Sequence, residues 1–231
     1  MKSFLAQRRG VEEPRGIPTV RPRRPSTSLG MKWWVSAGVI AMCFASCTTP
    51  DTHHRVVVSV PEQKLVVLED GKPVGTFPVS TSKFAISDAP GSRGTPLGEM
   101  AIAKKVGGGA PFGAVFKDRR RTGEVLVPDA PGRDPIVSRI LWLRGLEPQN
   151  ANAYGRYIYI HGTAEERNIG RPASYGCVRM KSRDVIRLYD IVGEGARVSI
   201  VNAPLVAAVP ELATPVAQLG GNAPFAAPAG R

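Results

Sequence analysis

The runs "RVVVSV" (55–60) and "KLVVLE" (64–69) constrain this chain more than any other feature. β-Branched side chains lose rotamer freedom in a helix and pack well on a pleated surface, so two such runs parted by "PEQ" read as strands. Asp70-Gly71 is a hairpin turn signal, and "KPVGTFPVST" (72–81) supplies the returning strand. A Gly/Pro-rich loop then leads through "GTPLGEM" (94–100) into "AIAKKV" (101–106). "RILWLRGL" (139–146) and "RYIYIHG" (156–162) are two further strand candidates, and "GARVSIV" (195–201) is a closing one. In the second of these, Tyr157, Tyr159 and His161 alternate with Ile158 and Ile160, so the imidazole ends a strand on the face opposite the isoleucines. Only "KSRDVIRLYDIV" (181–192) reads as a helix, with Ser182 as N-cap, Val185, Ile186 and Tyr189 as its apolar face, and Gly193 and Gly195 ending it. The expectation is a mainly β domain over 55–201 with a small helical part. "GGGAPFG" (107–113) lacks the Gly-Lys-Ser/Thr ending of a phosphate cradle and reads as a loop.

The flanks are of other kinds. "MKWWVSAGVIAMCFASC" (31–47) has a lysine, a short apolar run and small residues before Cys47, the layout of a secretory signal peptide. The run is too short for a transmembrane helix, which needs ~20 apolar residues. Its ending resembles a bacterial lipobox, with Phe44 where leucine is usual, so the expectation is cleavage before Cys47 and lipidation of that cysteine. An ordinary signal cut nearby, or an uncleaved anchor, are the alternatives. Thr48 rather than aspartate after the cysteine favours, by the same resemblance, the outer membrane of a cell envelope, with the chain facing the periplasm. Residues 1–30 are Arg- and Pro-rich, either a disordered extension or a stretch upstream of a true start at Met31. Residues 48–54, "TTPDTHH", read as a polar tether with His53 and His54 solvated, and 202–231 as an Ala/Pro-rich disordered tail.

The net charge of +12 would suggest a nucleic-acid partner if it were spread over the folded part. Half of it sits in residues 1–46, and the rest shows neither an aromatic-and-basic platform nor zinc-finger spacing, so no nucleic acid is expected. Three histidines, two of them in the tether, argue against a metal site.

Three cysteines leave one chemical candidate. Cys43 leaves with the signal and Cys47 carries lipid, so Cys177 is the free thiol of an exported domain, with no disulfide partner. A thiol attacks as thiolate, with an ordinary pKa of ~8.5, and needs a base or cation nearby. Past the tether the chain offers one imidazole, His161, sixteen residues upstream at a strand end. The loop between them is long enough to double back. From the residues alone, a Cys-His nucleophile competes with a buried structural thiol and an unrelated surface histidine.

"IHGTAEERNIGRPASYGCVRM" (160–180) closely resembles the signature of the L,D-transpeptidase (YkuD-type) catalytic domain family. "GTPLGEM" resembles that family's upstream Thr-Pro-x-Gly element, and the likeness covers roughly 55–201. The resemblance implies β-sandwich-like sheets with a short helix after the catalytic cysteine. It also implies acyl transfer from a peptidoglycan tetrapeptide stem, releasing D-Ala and forming a 3→3 cross-link on an acceptor amine. Neither metal nor cofactor enters. Carried over by position, Cys177 is the nucleophile and His161 the general base, oriented through its other nitrogen by a carbonyl near Gly162. The backbone N–H groups of Gly176 and Cys177 form an oxyanion hole. Arg179 holds a substrate carboxylate or braces the loop, and Ser174 fixes the turn. Tyr175 stands where many members have a second histidine. Water as acceptor would make the chain an L,D-carboxypeptidase, and a lysine on an envelope protein would make it an anchoring enzyme. A wall-binding lipoprotein without catalysis is the reading from another class.

Overall fold

The computed structural model describes residues 49–213. The expected extension, signal peptide and lipidated Cys47 lie outside these residues, as does 214–231 of the expected tail.

Strands β1 (His54–Ser59), β2 (Lys64–Glu69) and β3 (Lys72–Pro78) form an antiparallel meander. Asp70 and Gly71, with φ of 47° and 80°, make the two-residue turn whose twist matches the strands it joins. Outward from β1 the sheet continues through β10 (Arg197–Val201), β4 (Gly98–Val106) and β7 (Ile136–Gly145). β8 (Tyr159–Thr163) runs along one edge of β7 and pairs in parallel with β9 (Val178–Met180). The other edge of β7 is shared: β4 takes Ile140–Gly145, and a hairpin of β5 (Ala114–Lys117) and β6 (Arg120–Val125) attaches at Ile136 and Val137.

The sheet curls until its ends meet. Ser80, just after β3, donates its N–H to the Arg179 carbonyl at 2.9 Å, and the Arg179 N–H donates back to the Ser80 carbonyl at 2.8 Å. The fold is therefore mainly β, and its sandwich-like layers are opposed walls of one continuous sheet. Alternate residues of every wall point inward, and Val56, Val58, Leu65, Val67, Met100, Ile102, Leu141, Leu143, Ile160 and Met180 are buried together. Packing this interior is the main stabilising term, at roughly 1.5–3 kcal/mol per fully buried aliphatic side chain.

Helix α1 (Ser182–Ile191) closes the interior. Its N-cap is Lys181 rather than Ser182, whose N–H donates to Glu166 Oε1 at 2.8 Å. The buried face is Val185, Leu188 and Val192, at i, i+3 and i+7; Ile186 and Tyr189 are only half-buried. Lys105 Nζ donates to the carbonyls of Tyr189 and Val192, both at 2.6 Å, and so satisfies the helix C-terminus.

The structure corrects both ends of the domain. The expected tether is stitched down: Asp51 Oδ2 accepts from Gly193 N–H at 2.6 Å and from the His54 ring at 2.9 Å, and His54 opens β1. His53, by contrast, is exposed, its ring 2.8 Å from Asp70. At the other end, residues 202–213 are folded. A short helix α2 (Leu205–Ala208) lays Leu205 and Val209 on the outward face of β1 and β2, against Val57, Val66 and Leu68. Among the described residues no helix is long and apolar enough to cross a membrane.

Candidate active site

The site is built where β8 and β9 run side by side. The register pairs Ile160 with Val178 and His161 with Arg179, so one step back Tyr159 stands beside Cys177. Ile158, Ile160, Val178 and Met180 face the interior. The other face therefore carries Tyr159 and His161 on β8, and Cys177 and Arg179 on or next to β9. Strand spacing and rise put the Cα atoms of His161 and Cys177 roughly 8 Å apart on the diagonal, with both side chains on one side of the sheet.

His161 is buried, and its Nδ1 lies 2.8 Å from the Gly162 carbonyl. A carbonyl can only accept, so Nδ1 carries the proton and Nε2 is left as the acceptor. Burial pushes the imidazole down to about 4, the Gly162 carbonyl pulling the other way and the Arg179 charge adding to the fall. Cys177 is half-buried. Its Sγ is 3.4 Å from the Tyr157 carbonyl, and burial pushes the thiol up, against the Tyr159 N–H and the charges of Arg179 and Arg156. Both shifts favour the neutral forms, thiol and imidazole, over a thiolate–imidazolium pair.

The turn before the thiol is held from below. Gly176 has φ of 124°, and a Cβ there would stand 3.0 Å from the Gly94 carbonyl, so the position needs glycine. The Ser174 hydroxyl donates to the Cys177 carbonyl at 2.6 Å and accepts the Gly176 N–H at 3.2 Å. That contact already holds the Gly176 donor, whereas no such partner engages the Cys177 N–H among the described loop contacts. The Thr95 hydroxyl donates to the Gly176 carbonyl at 2.9 Å and accepts the Ser82 N–H at 2.9 Å. Gly94 and Thr95 of "GTPLGEM" are thus the floor of the cysteine turn. Arg156 staples that floor, donating to the Gly94 and Ser87 carbonyls and pairing with buried Asp88, each at 2.9 Å.

Arg179 is buried and held in place from one side. Its guanidinium is paired with Asp134 at 2.7 Å, and Asp134 also accepts from the Thr163 hydroxyl at 2.5 Å. Tyr175 is 54% exposed, tilted against Phe84 at 5.3 Å between centroids, with Lys83 Nζ 4.7 Å above its ring. Its hydroxyl has only a long contact, 3.4 Å, with Lys83 Nζ. Tyr175, Lys83, Arg171, Arg179, Asp134 and Glu165 line an open cleft of about 720 Å³. A smaller cleft of about 270 Å³, lined by Asp118, Arg119, Ile136, Tyr157 and Tyr159, opens on the aromatic side of the thiol.

Asp134, Thr95 and Arg156 are missing from the sequence reading. Thr95 lies within "GTPLGEM" and Arg156 opens "RYIYIHG", but neither carries a local signal of its role at the site. No group of three or more His, Cys, Asp or Glu able to hold a metal occurs among the described residues.

The family model of the L,D-transpeptidase catalytic domain matches residues 53–200. A putative L,D-transpeptidase YkuD of Bacillus licheniformis is 32% identical over 168 residues, covering 72% of this chain and 76% of that protein. A probable L,D-transpeptidase ErfK/SrfK of Salmonella typhimurium is 29% identical, and the match spans 47% of its length. Among solved structures, an L,D-transpeptidase from Mycobacterium smegmatis is similar with a TM-score of 0.44 at 18% identity, covering 64% of this chain and 58% of the other.

Proposed function

The chain belongs to the L,D-transpeptidase catalytic domain family, and on that premise we propose that it is a cysteine acyltransferase acting on peptidoglycan tetrapeptide stems. Cys177 is the nucleophile and His161 the base. As sulfur attacks the diaminopimelate carbonyl, the thiol proton passes to His161 Nε2 and the S–C bond forms. The amide C–N bond then breaks, and the D-Ala amine leaves with the proton that His161 returns. In the second half an acceptor amine attacks the thioester, His161 takes its proton, and the sulfur departs to be reprotonated. The Cys177 N–H stabilises the oxyanion, while Gly176 supplies the backbone shape that lets it do so. Arg179, held by Asp134, braces the site and keeps positive charge beside the developing thiolate.

The observation that carries this reading is the Nδ1 contact of His161 with the Gly162 carbonyl, which leaves Nε2 as the acceptor on the sheet face that also carries Cys177. The experiment is mass analysis of products from purified disaccharide-tetrapeptides. A 3→3 cross-linked dimer is the expected product. Tripeptide alone would replace transfer by L,D-carboxypeptidase hydrolysis, transfer only to a protein lysine would make it an anchoring enzyme, and unchanged substrate would leave a wall-binding protein.

The same reading puts the mature chain in the cell envelope as a lipoprotein, anchored through Cys47 and facing the periplasm from the outer membrane. What supports it is the sequence around "FASC" and Thr48. Stable anchoring needs at least two acyl chains. Cys47→Ala protein should therefore leave the membrane fraction, and retention there with unchanged processing would overturn the assignment.

A further inference from the structure

The β5–β6 hairpin turns on two residues, Asp118 and Arg119, with φ of 50° and 64°. Such a turn favours Asn-Gly or Asp-Gly, because both central residues need positive φ. Aspartate tolerates that region. Arginine is a poor choice for backbone reasons, and a strained residue held in place is a pointer to use. Its side chain folds back onto the sheet. Arg119 Cζ lies 4.9 Å from the ring centroid of Trp142 and 4.9 Å from that of Tyr157, and Nη1 donates to the Tyr159 hydroxyl at 3.2 Å. A guanidinium has five N–H groups. Among the described residues it makes no ion pair, Asp118 included. This cation therefore lies on an aromatic shelf with donors to spare, at the wall of the 270 Å³ cleft. Cys177 packs against the hydrophobic cluster that contains Trp142 and Tyr159.

We infer that Arg119 binds a carboxylate of the acyl-donor stem and selects stems that carry it. This rests on the acyl-transfer reading above. Arg179, the register partner of His161, lines the large cleft, whereas Tyr159, beside Cys177, lines the small one; the acceptor amine, which gives its proton to His161, is therefore assigned to the large cleft. The donor is left with the Tyr157–Tyr159 side. The two residues that flank the cleaved bond carry one free carboxylate each: that of D-Ala, one residue beyond it, and that at the far end of the diaminopimelate side chain, six bonds from the attacked carbonyl. The first departs with the leaving group. The second stays with the acyl enzyme, and its planar anion matches the guanidinium fork. Arg179, already paired with Asp134, does not compete for it.

The test uses the full chain and two synthetic tetrapeptide donors, one with that side-chain carboxylate free and one with it amidated. The readout is the second-order rate of thioester formation by intact mass, which needs no acceptor. The parent should acylate on the free acid faster by about tenfold to a hundredfold, the worth of a charge-assisted hydrogen bond. Arg119→Ala should bring the free acid down to the amide's rate, and Arg119→Lys should restore part of the preference. The preference should also shrink as salt is raised, since the pair is partly exposed. Arg119→Gly, which relieves the turn, should keep or raise the melting temperature while losing the preference, an outcome a merely structural arginine would not give. An undiminished preference in Arg119→Ala, or none in the parent, would overturn the inference alone. A parent forming thioester with neither donor would overturn the acyl-transfer reading and this inference with it.

Discussion

His161→Asn tests the electrostatics of the site through stability alone. An asparagine amide can replace the Nδ1 donor to the Gly162 carbonyl but cannot titrate. In the unfolded chain the imidazole has its ordinary value near 6.5, whereas burial holds it at about 4 in the fold. Above pH 6.5 neither state is protonated, and the histidine adds no pH dependence. Between 6.5 and 4 the unfolded state binds a proton that the folded state refuses, so stability falls as pH falls. The loss is complete below the folded value. A shift of about 2.5 units at about 1.36 kcal/mol each gives a total of roughly 3 kcal/mol. The assay is guanidinium unfolding of parent and variant at half-unit steps from pH 3.5 to 8. The other titrating groups cancel in the difference between the two curves. Parent minus variant should fall by about 3 kcal/mol across that window and be flat above it. Parallel curves would mean the imidazole is solvated. A difference that grows on acidification would mean a resting thiolate–imidazolium pair, the opposite of the neutral pair described here.

Thr95→Val removes the donor to the buried Gly176 carbonyl and the acceptor for Ser82 N–H. It should destabilise by about 1–3 kcal/mol in urea unfolding and slow acylation of Cys177 disproportionately, because the cysteine turn loses its floor. Equal acylation rates at equal folded fraction would remove that role. Tyr175→Phe should keep most of the acylation rate, since the ring packs on Phe84 and the hydroxyl has only a long contact with Lys83; a hundredfold loss in the folded variant would give the hydroxyl a part in the chemistry. Leu205→Ala should cost on the order of 2–3 kcal/mol in thermal or chemical unfolding, because it empties the contact of α2 with Val57, Val66 and Leu68. No change there would mean that the segment after β10 does not contribute.

The elements easiest to read from the sequence are those whose residues carry one unambiguous local signal. β1 to β3 follow from β-branched runs and Asp70-Gly71, and the inward turn of Ile158 and Ile160 from strict alternation. The β5–β6 hairpin was invisible for a definite reason. Its turn uses Asp118-Arg119 without glycine, and every residue of β6, "RRTGEV", is exposed, so neither turn chemistry nor alternation marks it. Residues 202–213 look like a disordered tail because alanine and proline dominate them, yet Leu205 and Val209 are enough to dock the segment. At the site, His161 and Cys177 are near in sequence and carry recognisable chemistry. Asp134 reaches it through the pairing of β7 with β8 and β8 with β9, and Arg156 by folding back onto the 87–94 loop. No local pattern encodes that meeting. On α1, Ile186 and Tyr189 satisfy the helical period as well as Leu188 does, and tertiary packing decides that Leu188 is buried.

The central claim is that Cys177 becomes covalently acylated by a tetrapeptide stem with loss of D-Ala. The direct measurement is intact mass followed by peptide mapping, after rapid acid quench of the protein with an excess of disaccharide-tetrapeptide and no acceptor. The expected result is an adduct equal to the substrate less D-Ala, mapped to the peptide containing Cys177, labile to hydroxylamine and absent from Cys177→Ala. An adduct on another residue, or undiminished release of D-Ala by Cys177→Ala, would contradict it.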